Sequence, residues 1–286
     1  MTFNPPVQIV AKAAAAGTYK VGLTTQEMLV RGFMSGAYIA MGAALATVAS
    51  TGAADFLGAG VGRLILGATF PVGLIITVLT GAELFTGDAM FGPLAALIHK
   101  TSWAAIMKLW VVVYIGNLIG SLVVAYMMAY GPLISVDVAT GAVAATVYGK
   151  TAIGIASAKV SYSFGMMSQL SLMMKAIGCN WLVNLAVFLG ICADDVVGKF
   201  FGIWFPIMAF VTIGFEHSVA NMYFIPAGLM TYALDPAAVA TVSSNLNWVG
   251  MWTNNIIVVT IGNIIGAMFF VAFLYWLAFK REVEAL

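Results

Sequence analysis

The sequence predicts an all-α membrane protein of six transmembrane helices, built as two inverted three-helix repeats with broken second and fifth helices. Three observations carry that prediction. The 286 residues are 62% hydrophobic and 8% charged, with mean hydropathy +1.02. Apolar residues gather into runs long enough to cross a bilayer. A nine-residue stretch of the first half recurs in the second, 146 residues further on (Val112 to Val258).

A soluble domain carries roughly 25% charged residues; this chain could not cover a water-facing surface, and a bilayer is the solvent that fits it. The net charge of +1 gives no reason to expect nucleic acid. Cys179 and Cys192 share one apolar stretch and read as packing residues.

Residues 1–25 show no short apolar core with a cleavage site, so no signal peptide is expected. Residues 6–16 read as an amphipathic helix on the membrane surface. A crossing helix needs about 20 apolar residues. Residues 28–50, 106–130 and 252–279 meet that plainly, and 176–193 adequately. Two further runs are interrupted. Residues 61–79 are followed by Gly81-Ala82-Glu83 and a second apolar run to 98; residues 200–213 are followed by Gly214-Phe215-Glu216-His217 and a second run to 232. Each reads as one broken span.

An even number of spans leaves both termini on one side. Of the 12 basic residues, eight fall on that side and four (Arg63, Lys150, Lys159, Lys175) on the other. The positive-inside rule then places both termini in the cytoplasm of a cell-membrane protein. Repeat one covers about 26–130 and repeat two about 160–280 of a single transport domain, preceded by the amphipathic segment 1–25. Three spans per repeat force the halves to cross in opposite senses. Inverted repeats with paired discontinuous helices mark transport proteins, with the path at the repeat interface. Irregular backbone at membrane depth must line a cavity or be buried in protein. The alternative is a duplicated bundle with glycine kinks.

The repeated Gly116-Asn117 and Gly262-Asn263 pairs fit close helix contact and cross-helix bonding better than solute contact. Ionisable groups at membrane depth are costly and mark function. Here they are Glu83 at the first break and Glu216 and His217 at the second. His217 is expected to act on solute, whereas His99 beside Lys100 is expected to be solvated. Glu83 and Glu216 are expected to hold the breaks together by accepting backbone N–H bonds. Glu216-His217 lacks a second histidine for a metal site, and no cofactor motif is present.

Five motifs taken in order, Gly81-Ala82-Glu83-Leu84-Phe85-Thr86-Gly87, Tyr114-Ile115-Gly116-Asn117-Leu118-Ile119-Gly120, Gly178-Cys179-Asn180-Trp181-Leu182-Val183, Gly214-Phe215-Glu216-His217-Ser218-Val219-Ala220-Asn221-Met222 and Val259-Thr260-Ile261-Gly262-Asn263-Ile264-Ile265-Gly266, resemble the signatures of the formate/nitrite transporter family. The resemblance covers nearly the whole chain. It implies an aquaporin-like fold, a homopentamer with one pore per subunit in the lipid bilayer, no catalysis, and passage of formate, nitrite or hydrosulfide. By the same resemblance His217 is the central pore histidine and Thr86 the hydroxyl facing it. Asn180 and Asn255 lie near them. Phe70 and Phe210 form the outer constriction, and Leu74, Leu84 and Phe85 narrow the rest of the path. Glu83, Glu216 and Asn221 are structural at the helix breaks. Lys159 draws anions into the outer vestibule, with Lys175 as its rival because 164–174 holds an insertion. Asn184 stands where the family often has cysteine; it alters the pore or bonds within its own span. Wording such as Ala193-Asp194-Asp195-Val196-Val197-Gly198-Lys199 is closest to the formate branch.

The mechanism this implies is an anion gathered by Lys159, protonated near His217, and carried through apolar slits as neutral acid or with a proton. A facilitator of neutral solutes such as water or glycerol also uses two inverted halves, but the doubled Asn-Pro-Ala signature is absent. A membrane enzyme would need a nucleophile or cofactor motif, and none is present. Residues 1–25 are placed to gate the cytoplasmic mouth.

Overall fold

The computed structural model describes residues 3–284, so Met1 and Thr2 of the expected gating segment lie outside the described residues. Helix α1 (Pro6–Val21) precedes the first span, α2 (Thr25–Ser50). Thr24 and Glu27 form a capping box that starts α2. The second span follows a short outlying helix, α3 (Ala53–Leu57), and consists of α4 (Ala59–Thr69) and α5 (Val72–Thr80), with α6 (Phe85–Leu97) after the break. The third span is α7 (Trp103–Ala129), capped by Ser102.

A hairpin of β1 (Ile134–Val136) and β2 (Val143–Ala145) leads into α8 (Val147–Lys159). The second half repeats the order. The fourth span is α9 (Met166–Cys192), the fifth is α10 (Val196–Ile213) with α11 (Ser218–Leu234) after its break, and the sixth runs from Trp248 to Val283. That last span joins α12 (Trp248–Met251), α13 (Ile257–Ala267) and α14 (Leu274–Glu284) through two π-helical segments, Trp252–Ile256 and Met268–Phe273. Among the described residues, six helices are long and apolar enough to cross a membrane. The fourth starts ten residues earlier than its hydropathy indicates, because the 164–174 segment continues the helix.

Equivalent pairs pack alike. Helix α2 lies against α7 as α9 lies against α13, and α1 lies against α6 as α8 lies against α11. Close contact comes from small residues: a side chain on Gly120 would strike the Phe33 and Ala37 backbone, and one on Gly266 would strike Ile177 and Trp181. At the repeat interface Tyr114 Oη and Thr260 Oγ1, 146 residues apart, share a hydrogen bond of 2.9 Å. Two equivalent residues touch only on the axis that relates the halves, so this bond marks the pseudo-two-fold.

The N-terminal helix is longer than expected: α1 reaches Val21 rather than residue 16. It buries Val10, Ala13, Ala14 and Gly17 and packs on α6. Asn4 holds its start in place, donating to Ile191 O at 2.7 Å and to Asp194 Oδ1 at 2.9 Å. Gly17 allows this, because a side chain there would meet the Phe91 backbone.

Candidate functional site

Each break is made the same way. Helix α5 ends at Gly81 (φ 74°) and α10 at Gly214 (φ 87°), both in the left-handed region that favours glycine. The chain then runs extended through Leu84 or His217 before the next helix begins. An asparagine from the third span of each half satisfies the exposed backbone. Asn117 Nδ2 donates to Glu83 O (3.0 Å) and Gly32 O (2.8 Å), and its Oδ1 accepts from Phe85 N–H (2.9 Å). Asn263 Nδ2 donates to Glu216 O (3.0 Å) and Ala176 O (2.8 Å), and its Oδ1 accepts from Ser218 N–H (2.9 Å). Every donor and acceptor of these two amides is used, which is what unravelled backbone inside a membrane requires.

The glutamates do not accept backbone N–H bonds, contrary to expectation. Their own backbone is held, by Arg31 O for Glu83 and Lys175 O for Glu216, and their carboxylates pair with cations. Glu83 pairs with Lys20, which also lies 3.0 Å from Asp88 Oδ1 and 4.9 Å from the Phe91 ring centre. Glu216 Oε2 pairs with Lys159 at 2.9 Å and accepts from Asn221 Nδ2 at 2.6 Å, while Lys159 lies 5.3 Å from the Phe224 ring centre. A buried carboxylate is better compensated by an ammonium than by neutral N–H groups. Burial works against the charge on Lys20, but Asp88 and Glu83 outweigh that cost and hold its pKa above the ordinary lysine value.

Lys20 is thus to the first break what Lys159 is to the second, with Asp88 and Phe91 matching Asn221 and Phe224. Sequence reasoning treated Lys20 only as one of the basic residues on the terminal side. The signal was present: a lysine closes the short helix before the first span of each half.

Two cavities open from opposite faces. The one on the face bearing the termini, about 370 Å³, includes Lys20, Arg31, Lys199, Glu83, Asp88, Leu74 and Leu84 in its walls. The other, about 520 Å³, includes Arg63, Lys159, Lys175, Glu216, Phe70, Phe210 and His217. Phe70 and Phe210 meet edge to face with ring centres 5.9 Å apart, both almost fully buried. Phe70 and Leu74 belong to the same span, four residues apart, yet face different cavities. Four residues rise ~6 Å along a helix, so the dry section is far thinner than the bilayer.

At its boundary with the larger cavity stands His217, stacked on Phe210 at 5.9 Å, with Nε2 2.9 Å from Thr86 Oγ1. His217 is also the N-cap of α11: its Nδ1 accepts from Ala220 N–H at 3.0 Å. An acceptor at Nδ1 leaves the ring proton on Nε2, so the imidazole is neutral and donates to Thr86. The Thr86 hydroxyl proton is left free to donate to a passing molecule. Thr86 itself is fixed by its carbonyl, which accepts from Asn180 Nδ2 (3.0 Å) and Asn184 Nδ2 (3.1 Å). Asn184 also donates to Asn180 O (2.8 Å), so it bonds both within its span and to the segment that carries Thr86.

The remaining expected residues are distributed as follows. Asn255 donates to Lys159 O (2.8 Å) and accepts from Asn221 (2.7 Å), bracing the lysine from behind. The π-helical turn 252–256 carries Asn255, and π turns recur at functional sites. Lys175 shares the Lys159 cavity but bonds Tyr162 Oη at 2.9 Å. Phe85 stands apart from both cavities: it packs edge to face on Trp110 and Tyr114 and lines a groove between α7 and α13. At the N-terminus of α6 its side chain points away from the break that Thr86, one residue on, faces.

Two charged vestibules, a thin apolar waist and inverted halves define a membrane transport protein. The sequence profile described as "Formate/nitrite transporter" matches residues 7–277. The chain is similar to a probable formate transporter of Methanothermobacter thermautotrophicus, with 41% identity covering 98% of this chain and 99% of the relative. It is 32% identical to the nitrite transporter NirC of Salmonella typhimurium, over 87% of this chain and 82% of that one. A solved pentameric formate channel with formate bound superposes with TM-score 0.73 and 31% identity, covering 90% of this chain and 98% of the other. The chain belongs to the formate/nitrite transporter family, a family of transporters and channels rather than enzymes.

Proposed function

We propose that the chain passes small monovalent anions, formate first among them, across the cytoplasmic membrane together with a proton, with both termini in the cytoplasm. The whole chain acts as one transport domain, one pore per subunit of a homopentamer. The observation that carries this reading is the neutral Thr86–His217 pair set in an apolar waist between two vestibules that each hold three cations.

A bare carboxylate entering such a waist would lose hydration worth up to tens of kcal/mol. Protonating an acid of pKa ~4 at pH 7 costs about 4 kcal/mol. The neutral acid is therefore the favoured crossing species. Lys159 and its neighbours concentrate the anion beside Phe70 and Phe210. The acid then passes between the rings and exchanges hydrogen bonds with the Thr86 hydroxyl and the His217 N–H. Asn180 and Asn255 hold these groups in register, and Leu74 and Leu84 narrow the exit. His217 acts here as a fixed donor. The proton travels on the solute, because the capped Nδ1 leaves the ring no free acceptor.

Uptake of formate into proteoliposomes with and without an inward proton gradient tests the reading. Formate uptake that rises with the gradient is expected. Uptake indifferent to the gradient would remove the proton; no flux of formate would remove the substrate. Nitrite is the second reading, favoured by the relatedness to a nitrite transporter. Nitrite uptake without formate uptake would establish it, and hydrosulfide is the next anion to try.

A further inference from the structure

Three cations line the vestibule opposite the termini, and they differ in what they have left to offer. Lys159 is neutralised by Glu216 at 2.9 Å, with only 16% of its side chain exposed. Lys175 donates to Tyr162 Oη at 2.9 Å and lies 5.2 Å from that ring's centre. Arg63 is exposed and pairs with no carboxylate among the described residues. Its one hydrogen bond among the described residues is long, from Nη1 to Ile213 O at 3.4 Å. A guanidinium has five N–H donors, so most of those on Arg63 are unused.

We propose that Arg63 is the residue that first binds the anion in this vestibule, gripping both oxygens of a small carboxylate or nitrite above Phe70. This rests on the reading of the chain as an anion pore and adds the capture site to it. A planar guanidinium matches a two-oxygen anion bidentately, which an ammonium cannot do. Arg63, Leu66 and Phe70 follow one another at i, i+3 and i+7 on one span, and all three line the cavity. That stripe leads from the capture site to the aromatic constriction over about 10 Å.

Gly214 supplies the berth. It has no side chain, and a Cβ built on it would meet Arg63 Nη1. The glycine that lets α10 end also lets the guanidinium lie over the break, beside the cavity's remaining wall. Lys159, held by Glu216 and Asn255, sets the local potential and braces the second break, while Arg63 makes the contact.

The test is formate transport in oriented planar bilayers, with formate added on the Arg63 side at low and high salt. Arg63→Gln is expected to raise the half-saturating formate concentration about tenfold while leaving the saturating rate within about twofold. It is also expected to flatten the dependence on ionic strength. Arg63→Lys is expected to keep the salt dependence but not the affinity. An unchanged half-saturating concentration in Arg63→Gln overturns the proposal, as does full recovery of affinity by lysine. Should Arg63→Gln fail to assemble, Arg63→Lys alone decides, by the same criterion. Wild-type protein that moves neither formate nor nitrite would instead sink the anion-pore reading, before any variant is made.

Discussion

The imidazole of His217 is held by two different bonds, and they have opposite consequences for substitution. Nδ1 caps α11 and Nε2 meets Thr86. Replacing His217 by Phe removes both, so flux and gradient response should vanish together; unchanged uptake and pH dependence in that variant would discard the assignment. Replacing it by Asn keeps an N-cap oxygen, which is among the best capping groups. His217→Asn should therefore fold as well as wild type, with melting temperature within a few degrees, yet transport poorly. The tautomer is open to direct measurement. The chain has 2 histidines, so His99→Gln leaves a single ring to observe. Nitrogen NMR of that variant at pH 7 should show Nδ1 as an unprotonated acceptor and Nε2 as the protonated nitrogen. A protonated Nδ1 would return the ring to the role of proton carrier.

Residue roles were unevenly legible. His217 stood out because ionisable groups beside a glycine break are rare in so apolar a chain, whereas Thr86 came only from the family resemblance. Lys20 did not, because a lysine near a membrane-facing helix is ordinary until its partner is known, and Glu83 and Asp88 are distant in sequence. Arg63 was hidden for a related reason: hydropathy counts charges without showing which are neutralised. Asn184 was visible as polar, but only the fold brings it to the Thr86 carbonyl.

At the scale of elements, the breaks were readable and their fastenings only partly so. The Gly-Asn repeats announced cross-helix bonds, and both asparagines do span helices. Asn263→Leu should leave Ser218 N–H and Glu216 O unsatisfied in the interior and remove the cross-helix bond to Ala176 O. At about 1–3 kcal/mol for each buried orphan, folded yield in detergent should collapse, and a normal yield would show that the break can rearrange. The glycines offer a gentler probe. Nothing lies within 4 Å of a Cβ built on Gly81, so Gly81→Ala measures backbone strain alone, expected at about 1–2 kcal/mol. The length of α1 was underestimated because its buried face is made of alanine and glycine, which carry little periodic signal. The length of α9 was underestimated because Ser, Gln and Lys dilute the run that begins at Met166.

Across the whole molecule, the two halves predicted the architecture more securely than any single span did. The fifth span is the least buried of the six, at 17% of its apolar window. Phe200, Phe201 and Phe205 face outward along it. Only lipid or a neighbouring subunit can cover such a face. A homopentamer should show a protein mass near five copies of the 30.1 kDa chain once detergent is subtracted; a monomer mass that still transports would confine the assembly to a packing role.

The contact between Tyr114 and Thr260 shows what a single chain can do that two identical halves cannot. In a dimer of two identical half-length chains, the residue on the axis would face its own twin, and every change there would be made twice at once. Tyrosine opposite tyrosine would crowd the axis, and threonine opposite threonine would fall short of it. Large against small needs two copies that are free to differ. Joined in one polypeptide, the halves differ at the very point where they touch, and the seam between them is a bond that two identical half-length chains could not make.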